Sequence, residues 1–356
     1  MLTALLFLVL LSVLVIAHEF GHYIVARICG VKVEEFGLGF PPRITAWKDK
    51  RGMLWTLNAI PLGGFVKLKG ESGEDRDAAD SFAKQSVLKR FFVLVAGVGM
   101  NLVTAAVIFT VGFMVGMPTV TEGGIPGATV TNESIRVLEV MADSPAEAAG
   151  FAVGDKLMSI DGATFVTSDA ARAALAEDVV HSVVVLRDQA EVTVSVDPEF
   201  IADLGRVGVG VGLVQTGDVH FPWYKAPIMG ISAMASSTWA VVSAFGALIA
   251  SPFTHTNVGA EVAGPIGIAV LTGEVARLGF AHLLQFAEML SINMAVINVL
   301  PIPALDGGRI AFLVLEVIRR KPTTPRVEQI VHGTGFAILL LLVLVVTLKD
   351  IVGLFS

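Results

Sequence analysis

The sequence is poor in charge and in cysteine, and both shortages restrict what the protein can be. Only 16% of its 356 residues are charged, whereas 54% are hydrophobic, and the mean hydropathy is +0.74. Soluble domains carry about a quarter charged residues, so the chain is predicted to be an integral membrane protein. A single cysteine, Cys29, excludes an intrachain disulfide framework. The net charge of −7 argues against nucleic acid as a partner.

Four stretches are apolar enough to cross a bilayer, which takes roughly 20 residues. A signal peptide is the alternative for the first, but that stretch has neither a basic start nor a small-residue cleavage site. One further uncharged stretch, residues 227–253, is rich in serine and glycine, and hydropathy alone leaves open whether it spans or lies in the interface. The predicted transmembrane helices cover residues 1–28, 91–117, 281–315 and 328–350.

The segments between these helices are predicted to contain β structure. Residues 29–90 hold two short alternating runs, Ile44–Trp47 and Met53–Leu57, which predict a hairpin, an ordinary surface hairpin being the alternative. Residues 70–84 are polar and acidic and are interpreted as a linker. Residues 119–200 alternate strand patterns with turns and a Ser-Pro helix start, and a further hairpin is predicted around Asp188-Gln189. This pattern is similar to a PDZ domain of α+β type.

Charge segregation predicts the orientation. The loop from Arg27 to Arg90 has 12 Lys and Arg against 8 Asp and Glu, whereas residues 118–225 have 6 against 16. Residues 309–326 are again basic, with 5 against 1. By the positive-inside rule, the basic loops face the cytoplasm, and the acidic middle domain and both termini lie outside. Residues 201–280 are predicted to be an extended strand followed by an interfacial helix region.

The first apolar helix ends in an unexpected cluster, His18-Glu19-Phe20-Gly21-His22. Ionisable groups at membrane depth cost a few kcal/mol each. Residues four apart share a helix face, so both imidazoles can bind one zinc ion, with Glu19 beside the open coordination position. Zinc activates a water molecule, and the Glu19 carboxylate can accept its proton. A pair of solvated or core histidines is the alternative, and it would leave unpaired charges in an apolar helix.

A third zinc ligand is expected from a membrane segment, where the candidates are His282, Glu288, Asp306 and His332. Asp306 lies at the C-terminal end of the third span, as the two histidines lie at the end of the first. The aspartate and the histidines reach the same depth only if an odd number of spans separates their helices. This requirement predicts four spans in all, and it places the stretch 227–253 in the interface or in a re-entrant position.

The prolines in "NVLPIP" free backbone carbonyls, and such irregular backbone is tolerated only where it lines a cavity. A simple proline kink is the alternative.

These motifs, HEFGH together with "NVLPIPALDGG", resemble those of the site-2 protease family of intramembrane zinc metalloproteases, in its bacterial RseP-like branch. "FGLGF", "IPLGGFVKL", "AGVGMN" and "GPIGIA" agree with the same branch. The resemblance implies that the β-rich loop folds back towards the active site. It also implies one Zn²⁺, the catalytic residues Glu19 and Asn298, the metal ligands His18, His22 and Asp306, and the substrate-binding residues Gly37, Gly39, Pro301 and Pro303.

The function implied by the resemblance is hydrolysis of single-span membrane proteins, such as anti-sigma factors or signal-peptide remnants, after a prior extracytoplasmic cut. The PDZ-like domain would bind a peptide or C-terminus, and a plain structural cap is the alternative. The expected location is a bacterial plasma membrane, with the active site towards the cytoplasm. A zinc transporter or a catalytically dead scaffold is the competing reading. The transporter needs neither Glu19 between the histidines nor a PDZ-like domain, and the intact set of His18, Glu19, His22 and Asp306 argues against the scaffold.

Overall fold

The computed structural model divides into two compact units, which are Met1–Val111 with Pro227–Ser356, and Gly112–Ala226. The first unit holds the long apolar helices and one pair of strands, and the second holds a six-stranded sheet. The structure describes the chain apart from Met1, Arg51, residues 72–74, Arg76, residues 188–189, residues 202–204, residues 255–263, Pro322 and residues 354–356.

Five helices of the described residues are long and apolar enough to cross a membrane. Their leucine-rich and alanine-rich sequences are good helix formers, and charges stand mainly near their ends. Two shorter helices lie between long helices along the chain, α6 (Pro265–Leu278) before the fourth of them and α8 (Asp306–Arg319) before the fifth. The five long helices are α1 (Leu2–Ile28), α2 (Val87–Val115), α5 (Ala226–Thr254), α7 (Phe280–Val299) and α9 (Pro325–Gly353).

The helices α1 and α2 pack closely and run antiparallel. His18 of α1 reaches Asn101 of α2, while His22, one turn further along α1, reaches Val93, which is earlier in α2. Gly21 lies at the crossing, and a side chain there would fall 2.7 Å from Met100 Cβ. The absence of a side chain at Gly21 therefore allows the backbones to approach and brings the histidines against α2.

The stretch predicted as interfacial or re-entrant, 227–253, is a continuous helix, α5, so five helices qualify as spans by length and composition where four were predicted. Near its start, Gly230 packs against Thr110, close to the end of α2. After α5 the chain reaches α6, whose Gly273 packs against Thr3 at the start of α1. Because α1 and α2 are antiparallel, both contacts lie at the same end of the bundle.

The third predicted span, 281–315, is two helices in the structure, not one. The helix α7 ends at Val299 and α8 begins at Asp306, because Pro301 and Pro303 cannot donate the hydrogen bonds that a continuous helix needs. The break between them is folded tightly, with the Ile302 N–H donating to the Leu300 carbonyl at 2.6 Å.

The predicted first hairpin is present as the antiparallel strands β1 (Val33–Lys48) and β2 (Leu54–Leu68). Trp47 pairs with Trp55, and the pairing of the two strands has several register shifts. Buried residues of α1, α2 and both strands form one apolar cluster, which includes Ala26, Phe36 and Val93. Within the described residues, the stretch 64–68 of β2 pairs with β1 on one side and is an edge of this sheet.

The second unit is an antiparallel sheet in the order β3-β10-β4-β5-β6-β7, with α3 (Pro145–Ala149) and α4 (Ser168–Ala174) and a small pair, β8 (Glu199–Ile201) with β9 (Arg206–Gly208). Ser144 caps α3, as the Ser-Pro pattern predicts. Arg187 pairs with Ala190, while the turn predicted at 188–189 lies outside the described residues. The strands of the sheet are β3 (Met117–Val120), β4 (Thr129–Val140), β5 (Lys156–Ile160), β6 (His181–Arg187), β7 (Ala190–Val196) and β10 (Val211–His220).

The predicted boundary of this domain at residue 200 is too early. The stretch 206–214 was expected to lead back to the membrane, but β10 lies inside the sheet, between β3 and β4. The domain therefore includes residues up to His220. The predicted linker 70–84 contains a short 3₁₀ helix, Phe82–Lys84, and its residues 72–74 and Arg76 lie outside the described residues.

Candidate metal centre

Three predicted ligands meet at one point of the helical unit. His18 and His22 lie one turn apart on α1, and their Nε2 atoms are 3.3 Å apart. Asp306, the first residue of α8, places Oδ2 at 3.1 Å from each of these nitrogens. Both histidines are over 90% buried. Among the described residues, this is the one group of His, Cys, Asp or Glu side chains that could hold a metal ion.

The triangle of donor atoms has the dimensions that zinc requires. Protein nitrogen and oxygen ligands lie about 2.0–2.1 Å from zinc in a tetrahedral arrangement, so neighbouring ligand atoms are about 3.3 Å apart. The observed separations are 3.1, 3.1 and 3.3 Å. Two imidazoles and one carboxylate also leave the fourth position open, as in catalytic zinc sites. The residues present therefore fit zinc.

The second nitrogen of each histidine is held by α2. His22 Nδ1 donates to the Val93 carbonyl at 2.8 Å. The Asn101 amide nitrogen lies 3.2 Å from His18 Nδ1, while Asn101 Oδ1 is buried without a partner among the described residues. A histidine that uses Nε2 for a metal carries its proton on Nδ1, and a half-turn of the Asn101 amide lets Oδ1 accept that proton. The orphaned oxygen is thus accounted for by a metal on His18.

Sequence reasoning missed the role of α2 in the centre. Gly97 lies directly against both histidines, and an added Cβ would be 2.6 Å from His18 Cε1. "AGVGMN" contributes the family resemblance, but neither Gly97 nor Asn101 was assigned a role. The signal available was the pair of small and polar residues in an otherwise apolar span, which is typical of a helix contact.

Glu19 lies between the two histidines in sequence and is half-buried beside the β-rich loop. The backbone of Val66 is within hydrogen-bonding reach of its carboxylate, and a side chain at Gly64 would touch Glu19 Cγ at 3.5 Å. The edge stretch of β2 therefore lies against the residue predicted to be the catalytic base.

The break before α8 fixes Asp306. The Ala304 N–H donates to His332 Nδ1 of α9 at 2.8 Å, so this predicted ligand candidate supports the break and is not part of the centre. Gly308 lies against the folded-back chain, where a Cβ would be 3.1 Å from Pro303 Cα. Glycine at this position therefore allows the break and the helix start to pack together. Glu288 and His282 line a different cavity.

The remaining predicted site residues lie in three segments, which are the end of α7, the break before α8, and β1. Asn298 is half-buried in the last turn of α7, and Pro301 is exposed in the break. Pro303 packs on α9 at Gly335. In β1, Gly37 pairs within the sheet, while Gly39 has a φ of +75° and its carbonyl accepts from Asn58 Nδ2 at 3.0 Å.

The fold and the site define a polytopic membrane protein whose metal centre has the donor set of a zinc hydrolase. The chain belongs to peptidase family M50, whose family model matches residues 6–342. "Putative zinc metalloprotease R01501" of Rhizobium meliloti (strain 1021) is 32% identical over 98% of this chain and 96% of its own length. A relative of the same description from Clostridium perfringens is 33% identical over 96% of each chain. The protein is a zinc metalloprotease, and zinc is its cofactor.

Among solved structures, the PDZ domain of the SdrC-like protein (Lmo2051) from Listeria monocytogenes is 23% identical and covers 24% of this chain and 92% of its own, with a TM-score of 0.22.

Proposed function

We propose that this metalloprotease cuts peptide bonds in or near the transmembrane segment of single-span membrane proteins, after a prior extracytoplasmic cut. The observation that carries the proposal is the convergence of His18, His22 and Asp306, at 3.1–3.3 Å, inside a unit built from membrane-length helices. A soluble substrate would not need a centre at that depth. Anti-sigma factors and signal-peptide remnants are the proposed substrate classes.

The chemistry assigned to the chain is general acid–base catalysis. Zinc, when held by His18, His22 and Asp306, supplies a Lewis acid that favours ionisation of water and polarises the carbonyl. Glu19 takes a proton from the attacking water as the new carbon–oxygen bond forms, and it returns a proton to the leaving nitrogen as the carbon–nitrogen bond breaks. Asn298 holds the substrate backbone or the developing negative oxygen with its amide.

Substrate presentation is assigned to the edge of the β-rich loop. The stretch 64–68 has a strand neighbour on one side within the described residues, and it lies beside Glu19. A substrate segment can add there as an extended strand, with Gly37, Gly39, Pro301 and Pro303 along its path. A transmembrane helix must unwind first because its carbonyls are tied into backbone hydrogen bonds. Helix-breaking residues in the substrate should therefore accelerate cleavage.

The middle domain is assigned as a filter that binds a peptide or a newly made C-terminus. A cavity of about 240 Å³ lies between α4 and β10. Residues 211–214 of β10 have a strand neighbour on one side within the described part of the chain. In place of a peptide, the Arg172 guanidinium donates to the Leu213 carbonyl and to Glu122, the latter at 2.8 Å. An added strand would displace Arg172 from that carbonyl.

The proposed location is a bacterial inner membrane, crossed four times, with the termini and the middle domain outside and the centre towards the cytoplasm. The basic loops support this orientation. The contacts of Gly230 and Gly273 at one end of the bundle support a re-entrant course for the chain from α5 to α6. If the chain between α2 and α7 crosses the bilayer an even number of times, α1 and α7 run in the same direction. That direction is needed because Asp306, which follows α7, meets the histidines near the C-terminal end of α1.

The experiment compares the full chain with Glu19→Gln and Asp306→Ala in liposomes that contain a single-span model substrate, with metal analysis of each protein. We expect cleavage by the unaltered chain, no cleavage but full zinc with Glu19→Gln, and loss of zinc with Asp306→Ala. Zinc binding without cleavage of any membrane substrate, including substrates with helix-breaking residues, would contradict the proposal and favour transport. Full zinc in Asp306→Ala would remove that residue from the ligand set.

A further inference from the structure

Glu288 is an acidic residue in the middle of α7 that the metal centre does not use. Its side chain is only 7% exposed, and its Oε2 atom has no hydrogen-bond partner among the described residues. Among the described residues it forms no ion pair. A carboxylate at membrane depth costs about 2.5–3.5 kcal/mol on insertion scales, so such a group is expected to have a partner.

The carboxylate lines a cavity of about 410 Å³ that is bounded by α5, α6 and α7. The wall is mostly apolar, with Val241, Leu278 and Ile292 among its residues. Its polar groups besides Glu288 are Ser237, His282 and Gln285. No metal site is available there, since within the described residues no pair of further His, Cys, Asp or Glu ligands comes close enough. The cavity therefore suits an apolar group that carries one cation.

A second cavity, of about 370 Å³, continues the space between α5 and α7 towards the break before α8. It is almost wholly apolar, and it is lined by Val98 of α2, Phe245 of α5, and Val296 and Leu300 at the end of α7. The two cavities together follow α7 from Glu288 to the residues that precede Asp306. Side chains of a helix lying along α7 could occupy both.

The helix α5 forms the outer wall of both cavities and packs loosely. In its most apolar 18-residue window none of the residues is buried, whereas 39% of the corresponding window of α7 is buried. Little apolar contact is lost if α5 moves outwards. The space along α7 can therefore admit an incoming transmembrane helix.

We propose that Glu288 determines specificity by binding a lysine or arginine side chain of the substrate's transmembrane helix, in the space between α5 and α7. This inference rests on the proposed function. Glu288 precedes Asn298 by ten residues on one helix, which is about 15 Å at 1.5 Å per residue. This length equals about ten residues of a helical substrate or about five residues of a substrate extended along β2, so its cation lies about five to ten residues from the scissile bond, on the side away from the cytoplasm.

The test uses the full chain in liposomes and a single-span substrate in which a lysine replaces leucine at successive positions around that distance. For each position the ratio of kcat/KM for the lysine substrate to that for the leucine parent is measured. We expect a ratio of about 10, equivalent to a charged pair worth about 1.4 kcal/mol, confined to one helical turn. Glu288→Gln should lower the ratio to about 1, and Leu290→Met, which lies on the same helix but outside the residues that line the cavity, should retain it as the matched control.

Charge reversal supplies a second, independent reading. Glu288→Lys should prefer a substrate with aspartate at the same position. In a separate experiment, Met289→Cys is crosslinked to that position of the substrate in a protein that also carries Glu19→Gln and Cys29→Ser. The yield of this crosslink should fall when Glu288→Gln is added. An unchanged ratio in Glu288→Gln, or no preference at any position, would overturn the inference. A Glu288 effect that follows the phosphatidylethanolamine content of the liposomes, and not the lysine, would also overturn it and assign the cavity to a lipid amine.

Failure of this inference and failure of the proposed function have different signatures. If the unaltered chain cuts lysine and leucine substrates equally, the protease function stands and Glu288 has no role in selection. If it cuts none of them although zinc is bound, the proposed function itself fails.

Discussion

A methyl group added at Gly97 should destroy the metal centre without altering any ligand. In Gly97→Ala the new Cβ would lie 2.6 Å from His18 Cε1, whereas ordinary contacts begin at 3.4 Å, so the imidazole must retreat by about 0.8 Å. Metal–ligand distances tolerate about 0.2 Å, and a misplacement near 1 Å at a reacting centre costs on the order of 100-fold in rate. We expect at least a tenfold loss of zinc affinity and about a 100-fold loss of cleavage.

Gly99→Ala is the matched control, because the space beside Gly99 is open and its substitution leaves the histidines untouched. Both substitutions favour the helix by about 1 kcal/mol, so a general loss of α2 would not explain a difference between them. The assay is zinc content and cleavage of the model substrate for the full chain in detergent and liposomes. A Gly97→Ala protein with full zinc and normal cleavage would refute the packing that we describe around His18.

Two further predictions concern Asn101 and Asp155. Asn101→Leu should weaken zinc binding about 10–100-fold by removing the support of His18, as measured by chelator competition, while Thr104→Val, whose hydroxyl bonds only its own helix, should leave it unchanged. Burial raises the pKa of the Asp155 carboxyl, but hydrogen bonds from Arg187 and the Ala152 N–H outweigh it and hold the pKa below its usual 3.8. A carboxyl whose pKa is lowered by folding stabilises the folded state above the pKa of the unfolded chain, and this stabilisation is lost as the pH falls below about 4. Calorimetry of the full chain should show that loss. Asp155→Asn should remove this pH dependence at a cost of roughly 1–3 kcal/mol, because the Arg187 side chain is one-third exposed; an unchanged pH profile in that variant would contradict it.

The parts of the centre that depend on local spacing could be predicted from the sequence. His18 and His22 share a face of α1 because residues four apart always do on a helix. Asp306 is assigned as the third ligand by the family resemblance, and placing it at the depth of the histidines then predicts the number of spans between them. The structure brings Asp306 to both histidines.

The parts that depend on contacts between distant segments could not be predicted. Nothing in the local sequence shows that Asn101 faces His18, or that 211–220 joins the middle of a sheet whose other strands precede residue 200. The prolines 301 and 303 indicated irregular backbone. Whether the helix would kink or stop depends on the close approach of Gly308 to the folded-back chain, which is a tertiary contact.

The long helix α5 shows a different limit of sequence reasoning. Its serine and glycine content leaves open whether it spans, and an interfacial or re-entrant course is predicted from the number of spans needed to bring Asp306 to the depth of the histidines. In the structure it is a helix of 29 residues with few buried side chains. Its helical state follows from its alanine-rich sequence, whereas the packing of Gly230 against Thr110, which places the start of α5 beside the end of α2, is a tertiary contact.

The most direct test of the central claim is the zinc coordination of the full chain, measured by X-ray absorption on the Glu19→Gln protein. We predict one zinc per chain with two imidazole nitrogens and one carboxylate oxygen at about 2.0–2.1 Å, and loss of that zinc in Asp306→Ala. A spectrum with a third imidazole, or one that is unchanged by Asp306→Ala, would contradict a centre made of His18, His22 and Asp306.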